Sequence, residues 1–120
     1  MRDTRVRNAT HVKEHRTGRK CDTIDCGGDL KDTIINFGEN LNEAVLELGF
    51  ANCQYSDLCL VMGTSLRVSP ACDMPRSTVE NGGNLVICNI QKTPLDNLAT
   101  LCIYAKCDDM IELLMKKLDY

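Results

Sequence analysis

Leu58-Cys59-Leu60-Val61-Met62-Gly63-Thr64-Ser65-Leu66 decides how the rest of this 120-residue chain is read. A short apolar run stops abruptly at Gly-Thr-Ser. It is too short to span a membrane and predicts a buried parallel strand over 57–62. In an open parallel sheet, ligands bind just beyond the carboxyl ends of the strands. Gly63 lets a ligand come close to the backbone, and Thr64 and Ser65 offer hydroxyls and N–H groups to phosphate or ribose. An ordinary turn ends the same way. Asn84-Leu85-Val86-Ile87-Cys88 repeats the pattern. It follows the breaker Asn81-Gly82-Gly83 and runs into Asn89-Ile90-Gln91, whose amides can bridge ribose hydroxyls and base edges.

Leu101-Cys102-Ile103-Tyr104-Ala105 predicts a third strand. A helix is expected over 40–53, with Asn40 as N-cap and Leu41, Ala44, Val45 and Leu48 as its apolar stripe. A second is expected over roughly 71–80. Asp108-Asp109 is read as the cap of a third, Met110–Leu118, with lysines at its end as the macrodipole favours. The order strand, helix, strand, strand, helix predicts an α/β fold, the second half of a doubly wound, Rossmann-like parallel sheet. Upstream, residues 3–16 alternate like a half-exposed ribbon, and Thr17-Gly18-Arg19-Lys20 is read as a turn.

That turn delivers Cys21, with Cys26 after four residues, a spacing within the range of half a zinc site. His11 and His15 are read as plain surface residues, with a minor option of completing the metal set. Eight cysteines without an apolar N-terminal leader do not suggest a disulfide scaffold, so Cys53, Cys59, Cys72, Cys88, Cys102 and Cys107 are expected to behave as small hydrophobes. The first 20 residues carry +5 and the remainder −8, for −3 overall. A basic end of this kind either meets DNA or acidic chromatin or is simply solvated; no base-reading motif accompanies it. No stretch approaches the ~20 apolar residues of a membrane span, so no membrane partner is expected.

Gly63-Thr64-Ser65-Leu66-Arg67-Val68-Ser69-Pro70 followed by Asn84–Pro94, with Thr17–Cys21 and Cys26–Glu39 upstream, resembles the C-terminal half of a sirtuin, most closely the class IV, nuclear six/seven type. Sirtuins are NAD-dependent protein deacylases. The resemblance implies a partial zinc-binding ribbon over 1–36 and the C-terminal half of the NAD-binding domain over 37–120. It implies that Gly63, Thr64 and Ser65 face the ribose and phosphates of NAD. Asn89 and Gln91 would hold the adenosine side, and Cys107 would meet the adenine mainly through its backbone. Cys21 and Cys26 would be one of two zinc-ligating pairs, so zinc is implied with only half its site in this sequence. Phe37, Gly38 and Glu39 would border the acyl-lysine channel, where the substrate peptide adds itself as a strand. Read from the residues alone, Phe37 fits a core plug equally well. An acylated lysine, such as that of a histone, is the implied partner, and an intracellular location in the nucleus, or nucleus and cytoplasm, follows from the type.

The family removes acyl groups from lysine and releases nicotinamide and O-acyl-ADP-ribose. A His in a His-Gly motif serves as general base, and a Gly-Ala-Gly-x-Ser loop cradles the cofactor. Neither motif occurs in these 120 residues, so no catalytic residue is assigned. The expectation is a truncated sirtuin, inactive on its own. The alternatives are a non-catalytic module that binds NAD, chromatin or a partner, and an enzyme completed by a second chain.

Overall fold

The computed structural model describes residues 14–119, so the ribbon expected over 3–13 lies outside the described residues. These residues form two compact units divided after Leu41.

The first unit is a small antiparallel hairpin, β1 (Arg16–Lys20) and β2 (Asp29–Lys31). Thr17–Lys20, expected as a turn, is therefore strand. Gly18 has φ +74° and sits where the register between Arg16↔Lys31 and Lys20↔Asp29 is irregular. A glycine in the left-handed region is what a strand bulge accepts. Polar contacts hold the hairpin. Thr17 Oγ1 donates to the Leu30 carbonyl at 2.9 Å, and Lys20 Nζ lies 2.7 Å from Asp29 Oδ1.

The second unit begins with α1 (Glu43–Tyr55). Its cap is Asn42, whose Oδ1 accepts from the Val45 N–H at 3.2 Å, rather than the expected Asn40. The packed face also differs. Val45 and Leu48 are more than 60% exposed, while Leu46, Gly49, Phe50 and Cys53 are the half-buried stripe. Gly49 lies on the packed side: a Cβ there would lie 2.8 Å from Met74 Cε, the flexible end of a side chain of α2 (Met74–Glu80). Between them runs β3 (Leu58–Met62). A single 3₁₀ turn, Ala71–Asp73, leads into α2.

After α2 the chain turns at Gly83 into β4 (Asn84–Cys88), then passes through a loop with a 3₁₀ turn, Asp96–Leu98, to β5 (Leu101–Ile103). The sheet is parallel, ordered β3-β4-β5, as the sequence leads one to expect. Its last rung is Met62–Cys88–Ile103. The core lies on one face: Val61, Leu66, Leu85, Ile87 and Leu95 are buried, with Cys59, Cys72 and Cys102 packed against them. Thr78 of α2 is wholly buried and satisfies its hydroxyl by donating to the Cys53 carbonyl at 2.7 Å, with Ser56 Oγ at 3.0 Å. Leu58, Leu60, Met62 and Leu101 on the other face stay exposed. The last helix, α3 (Cys107–Lys117), starts three residues before the expected position. Lys106 is its N-cap without a side-chain hydrogen bond, and Asp108 and Asp109 stand in its first turn rather than capping it.

Candidate nucleotide-binding ledge

The end of the parallel sheet assembles the residues singled out in the sequence. Gly63 leaves β3 with φ +63°, and its N–H donates to the Cys88 carbonyl at 3.0 Å, carrying the ladder one residue past the strand. A non-glycine residue would be strained here. A Cβ there would stand in van der Waals contact with α3, 3.4 Å from Cys107 Sγ. Thr64 and Ser65 follow, exposed. Thr64 Oγ1 accepts from the Leu66 N–H at 3.2 Å, and Leu66 takes φ +51° while keeping its side chain buried. The burial of that side chain anchors the exposed Gly-Thr-Ser turn to the core.

Asn89 leaves β4, the neighbouring strand, level with Gly63. Its N–H donates to the Ile103 carbonyl at 3.1 Å and its Nδ2 to the Gln91 carbonyl at 2.8 Å, which fixes the turn that displays Gln91. Cys107 opens α3, and its thiol donates to the Cys88 carbonyl at 3.8 Å. Gly63, Cys88, Asn89 and Cys107 are thereby gathered at one edge. Burial, with Cys107 beside it, pushes the Cys88 thiol above its ordinary range. A ledge of exposed hydroxyls, open N–H groups and one glycine close-approach point has the donor set that a nucleotide's ribose and phosphates require.

The segment between β4 and β5 carries a polar brace to the residue that follows β5. Asp96 Oδ1 accepts from Thr93 Oγ1 at 2.6 Å and from the Thr93 N–H at 3.0 Å, and Asp96 Oδ2 accepts from the Tyr104 hydroxyl at 2.8 Å. The Thr93 hydroxyl first, and then Tyr104, hold the Asp96 carboxyl below its usual range; the same bond pushes Tyr104 up to about 12. The visible signal was Thr93-x-x-Asp96, the pattern of a capping box.

In the hairpin unit, Cys21 and Cys26 both lie in the loop that joins β1 to β2. The Cys21 thiol donates to Thr23 Oγ1 at 3.3 Å, and this bond, with the Cys26 thiol in reach, lowers its pKa. Two thiols supply half of a tetrahedral zinc set. Among the described residues, no group of three or more His, Cys, Asp or Glu side chains is placed to hold a metal ion.

Phe37 is 88% exposed, so it is no core plug. Gly38 has φ +83°, and Glu39 is tied back onto its own turn, accepting from the Asn36 N–H at 2.8 Å and Asn36 Nδ2 at 3.1 Å. The Asn36 N–H first, then His15, keep the Glu39 carboxyl below its ordinary range. His15 is not a plain surface residue. Its Nδ1 lies 2.9 Å from Asp32 Oδ1 and its Nε2 3.2 Å from Glu39 Oε1, so both ring nitrogens face carboxylates. Partners 17 and 24 positions away leave no local signature in the sequence. A cleft of about 430 Å³ runs beside them, lined by Glu14–Arg16 and Lys31–Ile35.

A parallel sheet with a polar ledge at its carboxyl edge defines an α/β nucleotide-binding type of fold. Within that class the sequence is specific: residues 2–70 match the Sir2 family, and the chain belongs to it. It is 37% identical to the NAD-dependent protein deacetylase SRT1 of Arabidopsis thaliana over 103 residues, covering 86% of this chain and 22% of that protein. It is 38% identical to the NAD-dependent protein deacetylase sirtuin-7 of Bos taurus, covering 94% of this chain and 29% of that one. A solved Sir2 complex with a p53 peptide and NAD+ superposes with a TM-score of 0.70 at 36% identity, over 82% of this chain and 40% of that structure. The chain thus spans about a fifth to a third of these curated relatives.

Proposed function

We propose that this chain carries the adenosine-side ledge and the substrate-peptide loop of an NAD-dependent protein-lysine deacylase, of the class IV, nuclear six/seven type. The observation that supports it is the convergence of Gly63, Asn89 and Cys107 just beyond the last rung of the sheet, with Thr64 and Ser65 exposed beside them. NAD, when bound, supplies the ADP-ribose that accepts the acyl group. The Gly63 turn and Ser65 bind and orient its ribose and phosphates, Asn89 and Gln91 the adenosine side, and the Cys107 backbone the adenine. Phe37, Gly38 and Glu39 border the acyl-lysine of a protein such as a histone. Cys21 and Cys26 form half of a zinc site in a ribbon over 1–36, and residues 37–120 form a nucleotide-binding half-domain. The protein works inside the cell, in the nucleus or in nucleus and cytoplasm, where its basic N-terminal residues meet chromatin.

Titration calorimetry with ADP-ribose tests the ledge. Ser65→Ala and Asn89→Ala are each expected to weaken binding by about 10- to 100-fold, the loss of a hydrogen bond to a charged or polar ligand group at ~1.5–3 kcal/mol. Equal affinity in all three proteins sinks the reading. A second reading, a binding module without turnover, is favoured by one fact: the sequence has no His-Gly pair. General-base catalysis supplies ~10²–10⁴-fold in such reactions. Nicotinamide release from NAD with an acetyl-lysine peptide separates the two, and no release is expected from this chain alone.

A further inference from the structure

We propose that Cys88 and Cys107 form an oxidation-sensitive dithiol at the carboxyl edge of the sheet, which hydrogen peroxide closes to a disulfide and which thereby weakens nucleotide binding at the ledge. The two cysteines are 19 positions apart and are brought together by the pairing of β4 with β5 and the short turn into α3. Cys107 Sγ lies 3.8 Å from the Cys88 carbonyl oxygen, and Cys88 Sγ 3.8 Å from that of Ala105. Both sulfurs thus sit at the junction of β4 with the turn into α3. The rest of the approach, to the ~2.05 Å of an S–S bond, falls to the Cys107 side chain. Gly63 leaves it room, having no Cβ of its own beside that sulfur.

The two thiols have different parts. Cys107 is half-buried and meets solvent, whereas Cys88 is wholly buried. The Cys107 thiolate attacks one peroxide oxygen: an S–O bond forms, the O–O bond breaks, and hydroxide leaves and takes up a proton. Cys88 sulfur then attacks the resulting sulfenic sulfur: the S–S bond forms, the S–O bond breaks, and a second water leaves with the Cys88 proton. Two electrons pass from the thiols to peroxide, and one peroxide yields two waters. The bridge pulls the first turn of α3 against β4, at the point where Cys107 Sγ faces the bare backbone of Gly63. Only this effect on binding rests on the nucleotide reading of the ledge; the bridge itself does not.

The test uses the full chain. After a brief exposure to hydrogen peroxide and alkylation of remaining thiols, a tryptic map is expected to show residues 77–92 joined to residues 107–116, lighter by two hydrogens and separated by dithiothreitol. ADP-ribose affinity is expected to fall at least about tenfold on oxidation and to recover on reduction. Cys88→Ser, or Cys88→Ala should the serine not fold, is expected to bind ADP-ribose as the reduced wild type does and to ignore peroxide. Bridges confined to Cys21–Cys26 or Cys53–Cys59 overturn the dithiol. A Cys88–Cys107 bridge without a change in affinity overturns its effect on the ledge. If the reduced chain does not bind ADP-ribose at all, the ledge reading and the binding effect both fall, while the peptide map still decides the bridge.

Discussion

Leu85, Thr78 and Cys88 in the sheet unit have no solvent exposure, whereas no described residue up to Leu41 is fully buried. The sheet unit is therefore held by removal of apolar side chains from water. The hairpin unit is held by ion pairs, backbone turns and a histidine between two carboxylates. Small modules of the second kind lack a core large enough to stand alone and respond to pH, salt and metal. The two halves of the chain should accordingly fail under different conditions.

The sharpest break in that contrast is Leu85→Ala. Removing a wholly buried side chain is expected to cost the sheet unit about 2–5 kcal/mol. Urea unfolding followed by circular dichroism measures it, and a loss under about 1 kcal/mol would place the core elsewhere. Gly83→Ala comes next. Its Cβ would stand 2.5 Å from the Ser56 carbonyl oxygen and 2.6 Å from Thr78 Cγ2, so a loss of about 1–3 kcal/mol is expected in the same assay.

The polar contacts give smaller, pH-dependent effects. Tyr104 donates to Asp96, which raises its pKa to about 12 and favours the neutral phenol. Its contribution is thus present below the ordinary phenol pKa of about 10 and is lost as pH rises through about 12. Absorbance titration of the phenolate is expected to show one late tyrosine, which moves back towards about 10 in Asp96→Asn. Glu39 has the opposite sign. Its pKa is lowered by the Asn36 N–H, so its contribution is present above the unfolded value of about 4.3 and is lost as pH falls through the lowered folded value. The Asn36 amide resonance should move over that acid range in wild type and stay still in Glu39→Gln. Smallest of all, Leu48→Lys on the exposed side of α1 is expected to stay within about ±0.5 kcal/mol. A large loss there would restore the stripe read from the sequence.

That stripe shows where sequence reading stops. Leu41, Ala44, Val45 and Leu48 follow helical spacing, but so do Leu46, Phe50 and Cys53. Periodicity cannot choose between two apolar faces; packing against α2, on the side where Gly49 meets the Met74 side chain, chooses. The strands were legible because a parallel strand reads as an unbroken apolar run, and Val61, Leu85 and Ile87 duly lie in the core. Gly63 and Asn89 were legible as strand endings for the same reason. Gly18 was not, since a bulge and a turn use the same glycine. His15 was not, since its partners come from β2's exit and the turn beyond it, a matter of tertiary structure.

The ladder's extra bonds at the ledge set a sharp boundary in how fast backbone protons leave for solvent. The Gly63 and Asn89 amides are tied across the sheet, to Cys88 and Ile103. The Thr64 and Ser65 amides have no protein acceptor among the described residues. Deuterium should enter the first pair only when the sheet opens and the second pair at close to the rate of an unstructured peptide. Neighbouring residues 63 and 64 thus become a built-in reporter: a ligand seated on the ledge slows exchange at Thr64 and Ser65, while Gly63 and Asn89 keep the slow clock of the sheet.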